Sequence, residues 1–159
     1  MKIHKNSRNF NLLVEDFKAG RIVPFIGAGF SRPQFPSWEN LLKENSKIYG
    51  IADEINKEIR IGNMEKAASL LEHKMGPLEF KDYFLETFDK KKIGSFTDNQ
   101  LWLPKLFQSG ILTTNYDHLL ETLYREQLEY EFELLLPRYK KDEAAIDRVL
   151  RQNKPYLIK

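Results

Sequence analysis

The sequence contains no cysteine. Disulfides, a thiolate-ligated zinc site and a cysteine nucleophile are therefore excluded. The simplest compartment for such a chain is a reducing cytoplasm. No run of about 18 apolar residues occurs, so no transmembrane helix and no membrane partner are expected. The basic opening stretch, Met1 to Arg8, leads into a segment holding Glu15, Asp16 and Lys18, which gives no apolar signal-peptide core. Charge of one sign is also scarce. Lys plus Arg number 25 against 23 Asp plus Glu, a net charge of +2. A nucleic-acid partner usually needs a strongly basic face, and none is expected here. With three His and no His/Asp/Glu cluster at ligand spacing, no metal site is expected either. Internal repeats and low-complexity linkers are missing as well.

What is present is globular. The chain has 159 residues, 42% hydrophobic and 13% aromatic, enough for one domain with a real core. Short apolar runs alternate with amphipathic segments, which predicts an α/β fold with a parallel sheet and helices on its faces. Strands are expected at Arg21 to Ile26, Gly110 to Thr114, Phe132 to Leu136 (closed by Pro137) and Pro155 to Lys159. Pro24 points to a strand end, an edge or a bulge in the first of these. Helices are expected over residues 10–19, from Trp38 to near Gly50 with Ser37 as N-cap, and over 53–60, 63–75, 78–88, 101–109, 117–127 and 142–152. The helices from about 37 to 108 form an insertion between the first two strands, longer than an ordinary crossover. Lys90, Lys91 and Lys92 read as a solvated loop or helix end.

Two stretches carry chemistry. In Ile22-Val-Pro-Phe-Ile-Gly-Ala-Gly-Phe-Ser31 an apolar run stops at Gly27-Ala28-Gly29. Glycine allows positive φ and close approach of a ligand to the backbone, and a turn running into a helix gathers N–H groups that suit a phosphate. A plain strand-to-helix turn gives the same letters. In Ile111-Leu-Thr-Thr-Asn-Tyr-Asp117 a second apolar run ends in polar groups. Asn115 can both donate and accept hydrogen bonds. Asp117 reads either as a functional carboxylate beside Asn115 or as the N-cap of the next helix. Ser31 reads as a ligand contact or a cap, Arg32 as a diphosphate partner or a surface residue, and Trp38 and Phe35 as pocket lining or core. The aromatics of 80–88 read as core. His118 lies at a helix start, and His4 and His73 read as surface residues.

Pro24-Phe-Ile-Gly-Ala-Gly-Phe-Ser31, Pro36-Ser-Trp-Glu-Asn-Leu-Leu42 and Leu112-Thr-Thr-Asn-Tyr-Asp117, in that order, resemble the SIR2-like domain of bacterial anti-phage defence proteins, a sirtuin-related group. The similarity spans about residues 20–125. It implies a Rossmann-like sheet and NAD+ as substrate, with no metal. By this resemblance Gly27, Ala28, Gly29, Phe30, Ser31, Thr114 and Asn115 bind the nucleotide, and Asn115 with Asp117 serves catalysis. Sirtuin deacylases carry Asp-Phe-Arg after the glycine turn. Here Arg32-Pro-Gln-Phe-Pro36 stands instead, so the match is to the defence branch. The family's catalytic His follows a strand in a Leu-His-Gly segment, and this chain stops at Lys159, where that segment would begin. Residues 1–159 are thus expected to be the N-terminal part of a single, incomplete SIR2-like NAD-binding domain.

The implied activity is NAD+ glycohydrolysis to nicotinamide and ADP-ribose, as effector of an abortive-infection system. A homo-oligomer or a defence-system partner protein is the implied assembly. A non-catalytic NAD+/ADP-ribose-binding regulatory module is the alternative, and an NAD+-dependent deacylase ranks behind both.

Overall fold

The computed structural model describes residues 4–89, 93–128, 132–136, 141–152 and 155–159. Lys90 to Lys92 and Pro137, to which the sequence assigns roles, lie outside the described residues. The described chain is α/β. Its helices are α1 (His4–Lys18), α2 (Trp38–Ile48), α3 (Ala52–Arg60), α4 (Met64–Met75), α5 (Pro77–Thr87), α6 (Asp98–Leu106), α7 (Leu119–Leu128) and α8 (Lys141–Gln152). Its strands are β1 (Phe25–Ile26), β2 (Gly110–Thr113), β3 (Glu133–Leu135) and β4 (Tyr156–Ile158). They form one four-stranded sheet in the order β1-β2-β4-β3, and every pairing is parallel. That architecture is compatible with a Rossmann-like fold. Helices α2 to α6 lie between β1 and β2 in chain order.

Strand β1 is shorter than the run Arg21 to Ile26. Pro24 has no N–H to give a ladder, so pairing begins only at Phe25. Its carbonyl still accepts from Leu112 N at 3.0 Å, and β1 sits at a sheet edge, where proline is tolerated. Local chemistry sets the helix ends as the sequence predicts. Ser37 Oγ accepts from Asn40 N at 3.1 Å and starts α2. Gly20 and Gly50 stand at φ 67° and 70° just past α1 and α2, a conformation open to glycine.

Apolar burial divides into three clusters. Leu103, Ile111, Leu120, Leu123, Tyr124 and Leu157 join α6 and α7 to one face of the sheet. Ile111 and Leu157 are paired across β2 and β4 and are fully buried, each worth about 1.5–3 kcal/mol. Leu135, Val149 and Tyr156 pack under α8 on the other side. Leu41, Leu42, Ile55, Ala67 and Leu71 form the core of the helices between β1 and β2.

Beside the sheet, Gly110 lets the Tyr156 ring cross the backbone of β2. A Cβ on Gly110 would lie 2.2 Å from Tyr156 Cζ. Burial raises the Tyr156 hydroxyl pKa above its ordinary value. Helix α1 keeps its predicted spacing but buries little of it: Phe10 and Leu13 are exposed, while Phe17 meets Phe107 edge-on at 5.5 Å.

Candidate functional site

The C-terminal ends of β1 and β2 are adjacent, because the strands are parallel and paired Ile26 to Thr113. In open parallel sheets this edge is where ligands sit. One side chain welds the two ends together. Thr113 Oγ1 donates to Ile26 O at 2.7 Å and accepts from Asn115 N at 3.0 Å. The segment after β2 is thereby turned back across the end of β1.

After β1 the chain enters a single 3₁₀ turn, Ala28–Ser31, closed by Phe30 N donating to Gly27 O at 3.0 Å. Gln34 N and Phe35 N then both donate to Ser31 O, at 3.1 and 2.9 Å. The positive φ anticipated for the glycine turn is not used. Gly27 is extended at φ −99°, and the positive-φ glycines are Gly20, Gly50, Gly62 and Gly76. Among the described residues, a Cβ on Gly27 or Gly29 would meet no atom within 4 Å beyond those of its local backbone and chain neighbours. Packing within the chain therefore does not require glycine at either position, and what their small size leaves open is space.

The two stretches meet at Ser31 and Asn115. Asn115 Nδ2 donates to Ser31 Oγ at 3.1 Å, and both residues are buried. Asn115 Oδ1 is buried as well and has no hydrogen-bond partner among the described residues. A buried amide oxygen left unpaired costs about 1–3 kcal/mol, so its persistence calls for an account. Asn115 and Ser31 line a cavity of about 480 Å³, together with Ala28, Thr114 and Asp117 from the same edge. That volume is in the range of small-molecule sites.

Of the residues assigned to nucleotide binding from sequence, Ala28, Ser31, Thr114 and Asn115 thus come together around one cavity. Gly27, Gly29 and Phe30 are not among its lining. The Phe30 side chain packs instead against the apolar cluster that holds Leu103, Ile111, Leu120 and Leu157. Asp117 lines the cavity, and its Oδ1 accepts from Leu119 N at 3.0 Å, capping α7. Its carbonyl accepts from Lys159 Nζ, which also bonds Glu121 Oε1 at 2.7 Å. The end of β4 is in this way tied to the start of α7.

Opposite this edge the cavity wall comes from the helices between β1 and β2. Phe35, Pro36, Trp38 and Phe88 line it, with Glu65 and Ala68 of α4. Phe35 is both buried and lining, so the two sequence alternatives for it coincide. The rings form a connected series: Phe35 to Phe88 at 5.6 Å, Phe88 to Phe84 at 4.8 Å, and Phe84 to Tyr116 at 5.2 Å. The aromatic stripe of α5 therefore serves the helical core and the cavity together. Glu65, Ala68 and Phe88 were not identifiable as lining from sequence, since their spacing is that of ordinary amphipathic helices.

His118 lies outside this cavity. It is exposed, bonds Glu121 Oε1 at 3.1 Å and lines a neighbouring cavity of about 460 Å³ beyond Tyr116. Arg32 is exposed. His73 is exposed on α4, as expected. Among the described residues no group of three or more His, Asp or Glu side chains could hold a metal ion. No described helix is long and apolar enough to cross a membrane. No protein-family model matches the chain, and no curated protein matches it.

Proposed function

We propose that this chain is the nucleotide-binding part of an NAD+ glycohydrolase of the SIR2-like kind, splitting NAD+ into nicotinamide and ADP-ribose. The observation that carries the reading is Asn115: a buried amide with an unpaired oxygen, bonded to Ser31, in a cavity at the carboxyl ends of two parallel strands. A ligand hydroxyl or a water at that oxygen would supply the missing donor. Leaving of the positively charged nicotinamide needs little acid assistance. It needs a held ribose, an oriented nucleophile and a surrounding field suited to a cationic transition state. Asn115 Oδ1 accepts from a ribose hydroxyl or an attacking water, and the carboxylates of Asp117 and Glu65 supply negative field at the cavity wall. The open space over Gly27 and Gly29 admits a diphosphate close to the backbone.

In the same reading, the helices between β1 and β2 are an insertion that covers the nucleotide. The chain is a cytoplasmic defence effector working as an oligomer or under a partner protein. One observation favours the second reading, an NAD+/ADP-ribose-binding module without catalysis. Among the described residues, no His, Lys or Arg lines the Asn115 cavity.

The test is nicotinamide release from NAD+ by the full-length protein and by its Asn115→Ala variant, with NAD+ and ADP-ribose binding by both measured by calorimetry. Turnover lost in the variant supports the hydrolase. Binding without turnover supports the module. Turnover unchanged in Asn115→Ala, or no binding of either nucleotide, overturns the assignment.

A further inference from the structure

One fully buried amide connects the Ala28–Ser31 turn to a helix far away in sequence. Gln100 is 1% exposed and lies in the first turn of α6. Its Oε1 accepts from Thr97 N at 2.9 Å, half of a capping box in which Thr97 Oγ1 accepts from Gln100 N. Its Nε2 donates to Phe30 O at 2.7 Å and to Gln34 Oε1 at 2.9 Å. Gln34 answers with Nε2 donating to Gln100 Oε1 at 2.9 Å and to Ser95 O at 3.0 Å. The orientation of the Gln100 amide is dictated by its neighbours. Thr97 N–H can only donate and Phe30 C=O can only accept, so oxygen and nitrogen cannot be exchanged.

The capping box accounts for only the oxygen half of this side chain. Glu performs that role as well as Gln. The nitrogen half goes to the turn and to Gln34, three residues beyond its end. Phe30 is the neighbour of Ser31, whose hydroxyl must stand within hydrogen-bond reach of Asn115. We propose that Gln100 is the positioning residue of the site, holding the Phe30–Ser31 backbone at the height where Ser31 meets Asn115. The proposal rests on the reading of that cavity as a nucleotide site. Gln100 is not among the residues that line the cavity, and its amide nitrogen reaches the site through the Phe30 carbonyl. A displacement of the order of 1 Å in such a support is enough to disable a site.

Gln100→Glu separates the two roles. It keeps the acceptor for Thr97 N and removes both donors, leaving a carboxylate oxygen against Phe30 O. Amide hydrogen exchange reads the turn directly, and calorimetry reads NAD+ affinity. In Gln100→Glu, exchange at Phe30, Gln34 and Phe35 is expected to rise by about tenfold, with Leu101 in α6 nearly unchanged. NAD+ affinity is expected to fall by about tenfold. Gln34→Leu, which removes the reciprocal pair and spares the cap, is expected to give about a threefold effect on both readouts. Should Gln100→Glu fail to fold, Gln34→Leu decides. Exchange in the turn at the wild-type rate in a folded variant overturns the proposal, as does acceleration confined to α6. If the wild-type protein binds no NAD+ while the turn loosens as described, the nucleotide reading fails and the role of Gln100 in holding the turn stands.

Discussion

The side-chain amide of Asn115 donates to the hydroxyl of Ser31 at 3.1 Å, across 84 residues of sequence. Each is the polar terminus of its own apolar run, and neither run implies the contact by itself. Asn115→Ala removes one hydrogen bond and the unpaired oxygen together. The expected stability change is therefore small, about 1 kcal/mol or less by thermal unfolding. Turnover of NAD+ is expected to fall by about 10²–10³, as for loss of one oriented polar group at a reacting centre. A large drop in melting temperature would show instead that Asn115 is structural.

Thr113 holds the ends of β1 and β2 together through one oxygen. Thr113→Val conserves shape and leaves Ile26 O and Asn115 N without that partner. The expected cost is about 1–3 kcal/mol in chemical denaturation. Because the Asn115 segment is released, NAD+ binding is expected to weaken as well. Thr113→Ser, which keeps the hydroxyl, is expected to retain both stability and binding better than Thr113→Val.

Gly110 and Tyr156 share space that a Cβ would fill, 2.2 Å from the ring. Gly110→Ala is expected to destabilise the sheet by about 1–3 kcal/mol, the usual range for overpacking. In a Tyr156→Ala background the same substitution is expected to cost much less. A double-mutant cycle measures the coupling, and equal costs in both backgrounds would refute the contact as its cause.

Acid sensitivity is expected among the helices between β1 and β2. The Glu58 carboxyl is held below its ordinary value of 4.5, first by its hydrogen bond with Lys66 and then by that with Asn63. A carboxyl lowered in the folded state stabilises above its unfolded pKa. That contribution is lost as pH falls through the lowered folded value. Denaturation at pH 7 and at pH 3 measures the difference. Glu58→Gln is expected to lose less stability over that interval than the wild type. An identical loss in both proteins would remove Glu58 from the account.

Much of the fold was legible because its signals are local. Ser37 marks a helix start through its side-chain oxygen and Gly20 a helix end through its positive φ, and the expected segments overlap α1 to α8 and β1 to β4, although α1 begins well before the expected residue 10 and β1 well after Arg21. Pro24 pointed to a strand end, an edge or a bulge; β1 lies at the edge, and Pro24 also shortened it beyond what apolar content suggested. The candidate site was legible where it lies at strand ends, as with Ala28, Ser31, Thr114 and Asn115. The Phe30 side chain went the other way. Its place in the turn is local, but the direction of its ring depends on α6 and β2, which arrive from elsewhere in the chain.

The sequence by itself determined the α/β pattern, the helix caps and the two polar strand ends, since each depends on periodicity or on the chemistry of a few adjacent residues. Only the tertiary structure decided that Thr113 would join those ends, that Glu65 and Phe88 would face the same cavity, and that Gln100 would support the turn. Those relations depend on the order of strands in the sheet and on where separate helices come to rest. They are fixed by burial of the shared core, which no local pattern encodes.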